Sequence, residues 1–140
     1  MATGRPMEVG ARSEILIVDP YPPMRTLLPL QFKTRGRTVC VVSTLEELSC
    51  AMLCMDTRVV RLVVIDAMLE ECAGWTPETL NFLPDSLKSH VVGISFRPQF
   101  LVEAGQTGFG FLALVDKENW IDYVLQLLEA EESQASVAAH

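Results

Sequence analysis

A repeated alternation of short, apolar, β-branched runs with segments of helical character constrains the fold most strongly. The apolar runs predict five strands, over 14–19, 38–43, 61–66, 90–95 and 109–115. Helices are predicted over 24–35, 44–56, 76–87, 98–103 and 120–131. Strands that alternate strictly with helices form βαβ units, and the right-handed crossovers of these units place the strands in one parallel sheet. We therefore expect an α/β fold with a doubly wound, five-stranded parallel sheet.

Turn-forming residues refine the helix boundaries. Gly36 is expected to end the first helix, and Pro29 within it predicts a kink or an early break. Thr44 and Glu47 form a capping-box pattern at the start of the second helix. Pro84 is expected to weaken the end of the third helix.

Length and charge limit the classes of function. The chain has 140 residues, enough for one domain, which we place at 14–131 between a disordered leader at 1–13 and a frayed tail at 132–140. No apolar stretch approaches the roughly 20 residues that span a bilayer, and the leader has no apolar signal core, so a cytoplasmic protein without membrane contact is expected. The net charge is −7 and no Lys/Arg cluster occurs, which argues against direct nucleic-acid binding.

The four cysteines lie in apolar segments, without a Cys-x-x-Cys pair, and the chain has two histidines. This pattern supports neither a zinc site nor a disulfide framework. The thiols are expected to be structural and inert, since free cysteines usually behave as small buried hydrophobes.

Polar residues stand where four of the predicted strands stop: Asp19, Asp66, Ser95 and Lys117. Functional groups in parallel sheets gather at the carboxyl ends of the strands, so these side chains are expected to converge. Two carboxylates brought together need a cation or a proton between them, and oxygen ligands at a solvent-facing edge suit Mg²⁺. A lysine and a hydroxyl beside them can neutralise and hydrogen-bond a phosphoryl group.

The spacing of these residues carries a family resemblance. Val18-Asp19 is followed by Met24-Arg25, Asp66 has Gly74 eight residues on, and Lys117 lies 22 residues beyond Ser95 in a Gly-Ile-Ser sequence. Over about 14–130 the chain resembles the receiver domains of response regulators. The resemblance implies a flavodoxin-like topology with strand order 2-1-3-4-5.

By resemblance, Asp66 is the phosphoacceptor, Lys117 the phosphate-binding cation and Ser95 the switch hydroxyl. Asp19, Asp66 and the backbone carbonyl of Met68 are the implied ligands of Mg²⁺. The implied function is two-component phosphorelay signalling. A histidine kinase or phosphotransfer protein supplies the phosphoryl group, and a downstream protein or a homodimer carries the signal. No enzymatic activity is expected beyond self-phosphorylation and dephosphorylation of Asp66.

The chain departs from the receiver pattern at four places. Pro20 stands where a second acidic residue is usual, so Mg²⁺ should bind weakly. Leu69-Glu70 replaces Met-Pro and adds negative charge near the site. Leu114 replaces an aromatic residue, and Glu118 replaces the proline after the lysine, so a trans peptide bond is expected there. These departures indicate reduced or altered switching.

Other interpretations of these residues remain open. A pseudo-receiver that is never phosphorylated can act as a protein-protein interaction module, with Lys117 merely neutralising Asp66. Asp66 can also be a simple turn cap. A flavodoxin-like cofactor site is disfavoured by the proline-rich loop 19–23, and a Ser-His-Asp hydrolase by the lack of Gly-x-Ser-x-Gly. The aromatic residues Phe100, Trp120 and Tyr123 can be core or a partner-docking face.

Overall fold

The computed structural model describes residues 12–66, 80–96 and 112–138. The described strands are β1 (Ile15–Val18), β2 (Val39–Val42), β3 (Leu62–Asp66), β4 (Val91–Ser95) and β5 (Ala113–Asp116). The described helices are α1 (Met24–Lys33), α2 (Leu45–Cys54), α3 (Asp85–Lys88) and α4 (Trp120–Ala138). All five predicted strands are present, whereas the predicted helix at 98–103 lies outside the described residues.

The five strands form one parallel sheet in the order β2-β1-β3-β4-β5. This is a flavodoxin-like α/β fold, as predicted. Val18, the last residue of β1, lies opposite Ile65 of β3, and Ser95 of β4 lies opposite Asp116 of β5. The residues that follow β1 and β5 therefore leave the sheet at the same edge as the ends of β3 and β4.

Both faces of the sheet are buried, because successive strand residues point to opposite sides. Leu16 and Val18 belong to one core cluster, which also contains Leu48 and Met52 of α2. Ile15 and Ile17 belong to the second cluster, whose helical part comes from α1 and α4. Phe32 and Trp120 join these two helices with their ring centroids 5.7 Å apart.

Helix α1 does not break early at Pro29, which was one of the two predicted outcomes, because it continues through Pro29 to Lys33. Pro29 lacks the N–H that would bond the carbonyl of Arg25, a loss that ends many helices. Here Leu28 and Phe32 flank the proline and are both buried, so tertiary packing holds the two halves in one helix. Gly36 has a φ of 73° shortly after the helix, which is the left-handed exit that a glycine favours.

Proline has the opposite effect at position 84. Instead of one helix through 76–87, the described part shows a turn after Leu80 and then the short helix α3, which begins directly after Pro84. Pro84 has an extended ψ of 149°, so it interrupts the helix rather than weakening its end. Residues 76–79 lie outside the described part.

Helix α4 runs to Ala138, past the predicted end at Glu131. Two arginines, which lie just before β2 and β3, attach α4 to the sheet through ion pairs. Arg37 makes two hydrogen bonds of 2.8 Å to Glu132, and Arg61 lies 2.9 Å from Glu132 and 3.1 Å from Glu131. Both guanidinium groups also pair with Glu14, just before β1, at 3.1 and 3.5 Å. We call these five residues the amino-end cluster.

None of the helices in the described parts of the chain combines the length and the apolar character that crossing a membrane requires.

Candidate functional site

The predicted site residues lie together at the carboxyl end of the sheet. Asp19 follows β1, Asp66 ends β3 and Ser95 ends β4, and all three are buried, with exposed fractions of 0%, 3% and 1%. Lys117 follows β5. Four segments that are distant in sequence therefore meet at one edge of the sheet, as the strand-end argument predicts.

A single ammonium group joins the two carboxylates. Lys117 Nζ lies 2.6 Å from Asp66 Oδ2, to which it donates a hydrogen bond, and 3.2 Å from Asp19 Oδ2. We call Lys117, Asp66 and Asp19 the carboxyl-end triad. Its formal charge is −1, because one ammonium faces two carboxylates.

The pKa of Lys117 reports how strongly the carboxylates hold the ammonium group. Burial lowers the pKa of this lysine, but the hydrogen bond that it donates to Asp66 and the negative charges of Asp66 and Asp19 outweigh burial, so the net pKa is raised. The lysine is therefore fully protonated at neutral pH, as a group that neutralises anions must be.

The two oxygens of Asp19 have different surroundings. Oδ1 accepts a hydrogen bond of 2.9 Å from the backbone N–H of Tyr21, which fixes the turn after β1. Oδ2 is fully buried and has no aligned hydrogen bond, although Lys117 Nζ lies at ion-pair distance. The ion pair with Lys117 therefore offsets part of the cost of burying this carboxylate oxygen.

Backbone contacts fix the segment that carries Lys117. The backbone N–H of Lys117 donates to the carbonyl of Ser95 at 2.9 Å, and the N–H of Glu118 donates to the Asp116 carboxylate at 2.9 Å. The peptide bond before Glu118 is trans, as predicted for a chain without proline at this position. Leu114 lies on β5 and is half-buried.

The structure adds one neighbour of Lys117 that the sequence did not single out. Phe96, directly after Ser95, is 61% exposed, and its ring centroid lies 5.5 Å from Lys117 Nζ. Arg25 of α1 donates to Ser43 Oγ at 2.9 Å and pairs with Glu47 of α2. The position of Phe96, one residue beyond a strand-end hydroxyl, was the signal that could have identified it.

The contact of Glu47 also corrects the capping-box prediction. Thr44 Oγ1 accepts a hydrogen bond of 3.1 Å from the backbone N–H of Glu47, as a helix cap does. The carboxylate of Glu47 is bound by Arg25. The cap by Thr44 is therefore present. The Glu47 carboxylate, which is the other side chain of the predicted capping box, forms an ion pair between α2 and α1.

The remaining candidates are a core residue, a surface residue and several outside the described ranges. Trp120 is buried in the second core cluster, and Tyr123 is 36% exposed. The departures at Leu69 and Glu70, the implied metal ligand Met68, and Phe100 all lie outside the described residues.

The donor set of the triad fits a hard divalent cation. Asp19 and Asp66 supply carboxylate oxygens, one of them buried without a hydrogen bond, and the formal charge of −1 leaves a cation favourable. No group of three or more Cys, His, Asp or Glu side chains with metal-binding geometry occurs in the described parts of the chain. A cation held here would complete its coordination with water or backbone oxygens, which is usual for Mg²⁺.

Comparison with known proteins gives no match, since no family model, curated protein or solved structure matches the chain.

Proposed function

We propose that this chain is a receiver-type signalling domain of the cytoplasm, in which Asp66 accepts a phosphoryl group. The observation that carries the proposal is the carboxyl-end triad, with Lys117 Nζ 2.6 Å from Asp66 and 3.2 Å from Asp19 at one edge of a parallel sheet in the order 2-1-3-4-5. The resemblance in residue spacing points to the same function. A histidine kinase or phosphotransfer protein is the proposed donor, and a protein partner or a second copy the proposed recipient of the signal.

In this proposal each side chain has one task. A carboxylate oxygen of Asp66 attacks the phosphorus of the donor, the bond from phosphorus to the donor's leaving group breaks, and the leaving group departs with the electron pair. Lys117 neutralises negative charge on the phosphoryl oxygens. Ser95 presents its hydroxyl from the neighbouring strand end.

Asp19, Asp66 and the carbonyl of Met68 are the proposed holders of Mg²⁺. The ion supplies further neutralisation of the phosphoryl oxygens when bound. Because Pro20 contributes no carboxylate, we expect the ion to bind more weakly than at a site with two acidic residues after the first strand.

Two observations favour a second candidate, an interaction module that is never phosphorylated. Asp66 is 3% exposed, so a donor must open the site before it can reach the carboxylate. Lys117 already neutralises part of the carboxylate charge without any phosphoryl group. A pseudo-receiver of this kind would present one fixed surface to its partner.

Phosphorylation with a small donor separates the two candidates. The full chain is incubated with acetyl phosphate and Mg²⁺, and intact mass spectrometry measures the addition of one phosphoryl group. Asp66→Asn removes the proposed acceptor. Asp85→Asn makes the same chemical change at an exposed carboxylate of α3, outside the carboxyl-end triad, and serves as the matched control.

The receiver proposal expects modification of the wild type and of Asp85→Asn, and none of Asp66→Asn. Beryllofluoride with Mg²⁺ should likewise shift the backbone amide NMR signals around Asp66 and Ser95 in the wild type. If the wild type is not phosphorylated and its amide signals do not shift with beryllofluoride, the receiver proposal is contradicted and the interaction module is supported.

A further inference from the structure

Two free cysteines lie on the surface of α2, contrary to the expectation that the thiols are buried. Cys50 and Cys54 are both exposed and unpaired. Free cysteines are among the most buried residue types in proteins, so two exposed thiols in one ten-residue helix are unusual. Neither belongs to the core cluster beneath α2.

The third described cysteine provides a contrast within the same part of the fold. Cys40 on β2 is half-buried and packs against the core cluster under α2. Burial raises the pKa of the Cys40 thiol, with Arg25 opposing the shift. Cys40 therefore lies in the packed, partly buried environment that is typical of a structural thiol.

The spacing of Cys50 and Cys54 places both thiols on one face of the helix. Residues four apart on a helix are neighbours, with Cβ atoms about 5–6 Å apart. A disulfide requires Cβ atoms about 3.5–4.5 Å apart, so the pair cannot close a disulfide while the helix keeps its geometry. Two thiols that are neighbours on one helix face can instead share one ligand.

We propose that Cys50 and Cys54 form a binding site for a soft monovalent metal ion of the Cu(I) class. Thiolate sulfur is the ligand type that selects such ions. Zinc sites in proteins usually have four ligands, whereas no group of three or more candidate ligands occurs within 12–66, 80–96 or 112–138. Two sulfurs suffice for Cu(I), which accepts a two-coordinate geometry.

Binding is a simple exchange of protons for metal. Each thiol gives up its proton to solvent, two sulfur–metal bonds form, and no electron is transferred. The helix supplies the second thiol at high effective concentration once the first has bound, so the pair should bind at least about 100-fold more tightly than either thiol alone.

The test is a Cu(I) titration of the full chain under anaerobic conditions, against a chromophoric Cu(I) chelator. Cys72→Ser is included throughout, so that Cys40, Cys50 and Cys54 supply all the thiols in the titration. We expect one Cu(I) per chain. Cys50→Ser and Cys54→Ser should each weaken the affinity at least about 100-fold. Cys40→Ala should leave it unchanged.

A transplanted pair tests the geometry independently of the native residues. Glu46 is exposed and lies one turn before Cys50. Combining Glu46→Cys with Cys54→Ser therefore restores two thiols four residues apart, and should restore the affinity.

Three results would overturn the proposal. The first is a Cu(I) affinity that is unchanged in each of the single variants Cys50→Ser and Cys54→Ser. The second is loss of Cu(I) binding in Cys40→Ala while its circular-dichroism spectrum is unchanged. The third is one metal ion per two chains with a dimeric mass in gel filtration, because the ligands would then come from two copies.

Discussion

The two ends of the sheet hold charges in different ways. The amino-end cluster contains two arginines and three glutamates, and the carboxyl-end triad contains one lysine and two aspartates, so both have a formal charge of −1. In the cluster, two planar guanidinium groups bind the carboxylates, and Arg37 donates two parallel hydrogen bonds to Glu132. Glu131 and Glu132 are 34% and 48% exposed, so water also solvates them.

The carboxyl-end triad has neither planar guanidinium groups nor solvent-exposed carboxylates. The side chains of Asp19 and Asp66 are 1% and 4% exposed, and one compact ammonium group serves both. Asp19 Oδ2 is left without a hydrogen bond. The amino-end cluster therefore attaches α4 with carboxylates that remain partly in water, whereas the carboxyl-end triad holds two buried carboxylates around one ammonium group.

The largest expected effect comes from removing the cation of the triad. Lys117→Met leaves two buried carboxylates facing each other, so we expect the free energy of unfolding to fall by on the order of 3 kcal/mol. Denaturant unfolding monitored by circular dichroism measures the change. Lys88→Met is the matched control, because Lys88 pairs with the exposed Asp85 and its loss should cost at most about 0.5 kcal/mol.

A second substitution shows whether carboxylate repulsion causes that loss. Adding Asp66→Asn to Lys117→Met removes one of the two facing charges, so the double variant should be more stable than Lys117→Met alone. If Lys117→Met unfolds at the same denaturant concentration as Lys88→Met, the two buried carboxylates of the triad do not depend on the ammonium group for stability.

Restoring a carboxylate beside the triad should strengthen its affinity for Mg²⁺. Pro20→Asp adds an acidic residue next to Asp19, and since ligand charge sets the affinity of hard cations, we expect Mg²⁺ to bind roughly 10 to 100-fold more tightly. The rise of the melting temperature with Mg²⁺ concentration measures this. Pro22→Asp adds the same charge two residues further along the exposed turn and should have little effect. Equal gains from both variants would indicate a general charge effect rather than a metal site.

Short-range patterns predicted the architecture well. The five apolar runs gave the strands, and the parallel topology then brought Asp19, Asp66 and Lys117 to one edge without knowledge of any contact. These inferences succeed because burial on both faces makes strands read as continuous apolar runs. The roles of Asp66, Lys117 and Ser95 in phosphoryl transfer stay predictions.

Contacts between distant segments were the main feature that the sequence could not supply. Continuation of α1 through Pro29 depends on the burial of Leu28 and Phe32, which overrides local helix propensity. The amino-end cluster joins residues such as Arg37 and Glu132 that lie 95 positions apart. Exposure of Cys50 and Cys54 depends on which face of α2 meets the sheet.

The smallest expected effect is a difference in pH dependence between the two ends. Hydrogen bonding to Arg37, with help from Arg61 and against the effect of desolvation, lowers the pKa of Glu132 from 4.5 to about 2. Because this folded-state pKa is depressed, the stability from Glu132 is complete above pH 4.5 and is lost as the pH falls towards about 2. The difference in the free energy of unfolding between wild type and Glu132→Gln should therefore disappear as the pH falls to about 2.

Lys117 has the opposite sign, because its folded-state pKa is raised above 10.5. Its contribution is complete below pH 10.5 and is lost as the pH rises through the raised value, so the difference between wild type and Lys117→Met should shrink only in strong alkali. Urea unfolding across the pH range measures both differences. Glu129→Gln removes the same charge from an exposed position of α4 and isolates the effect of net charge. A Glu132→Gln profile that matches this control would mean that the amino-end cluster does not hold α4 through Glu132.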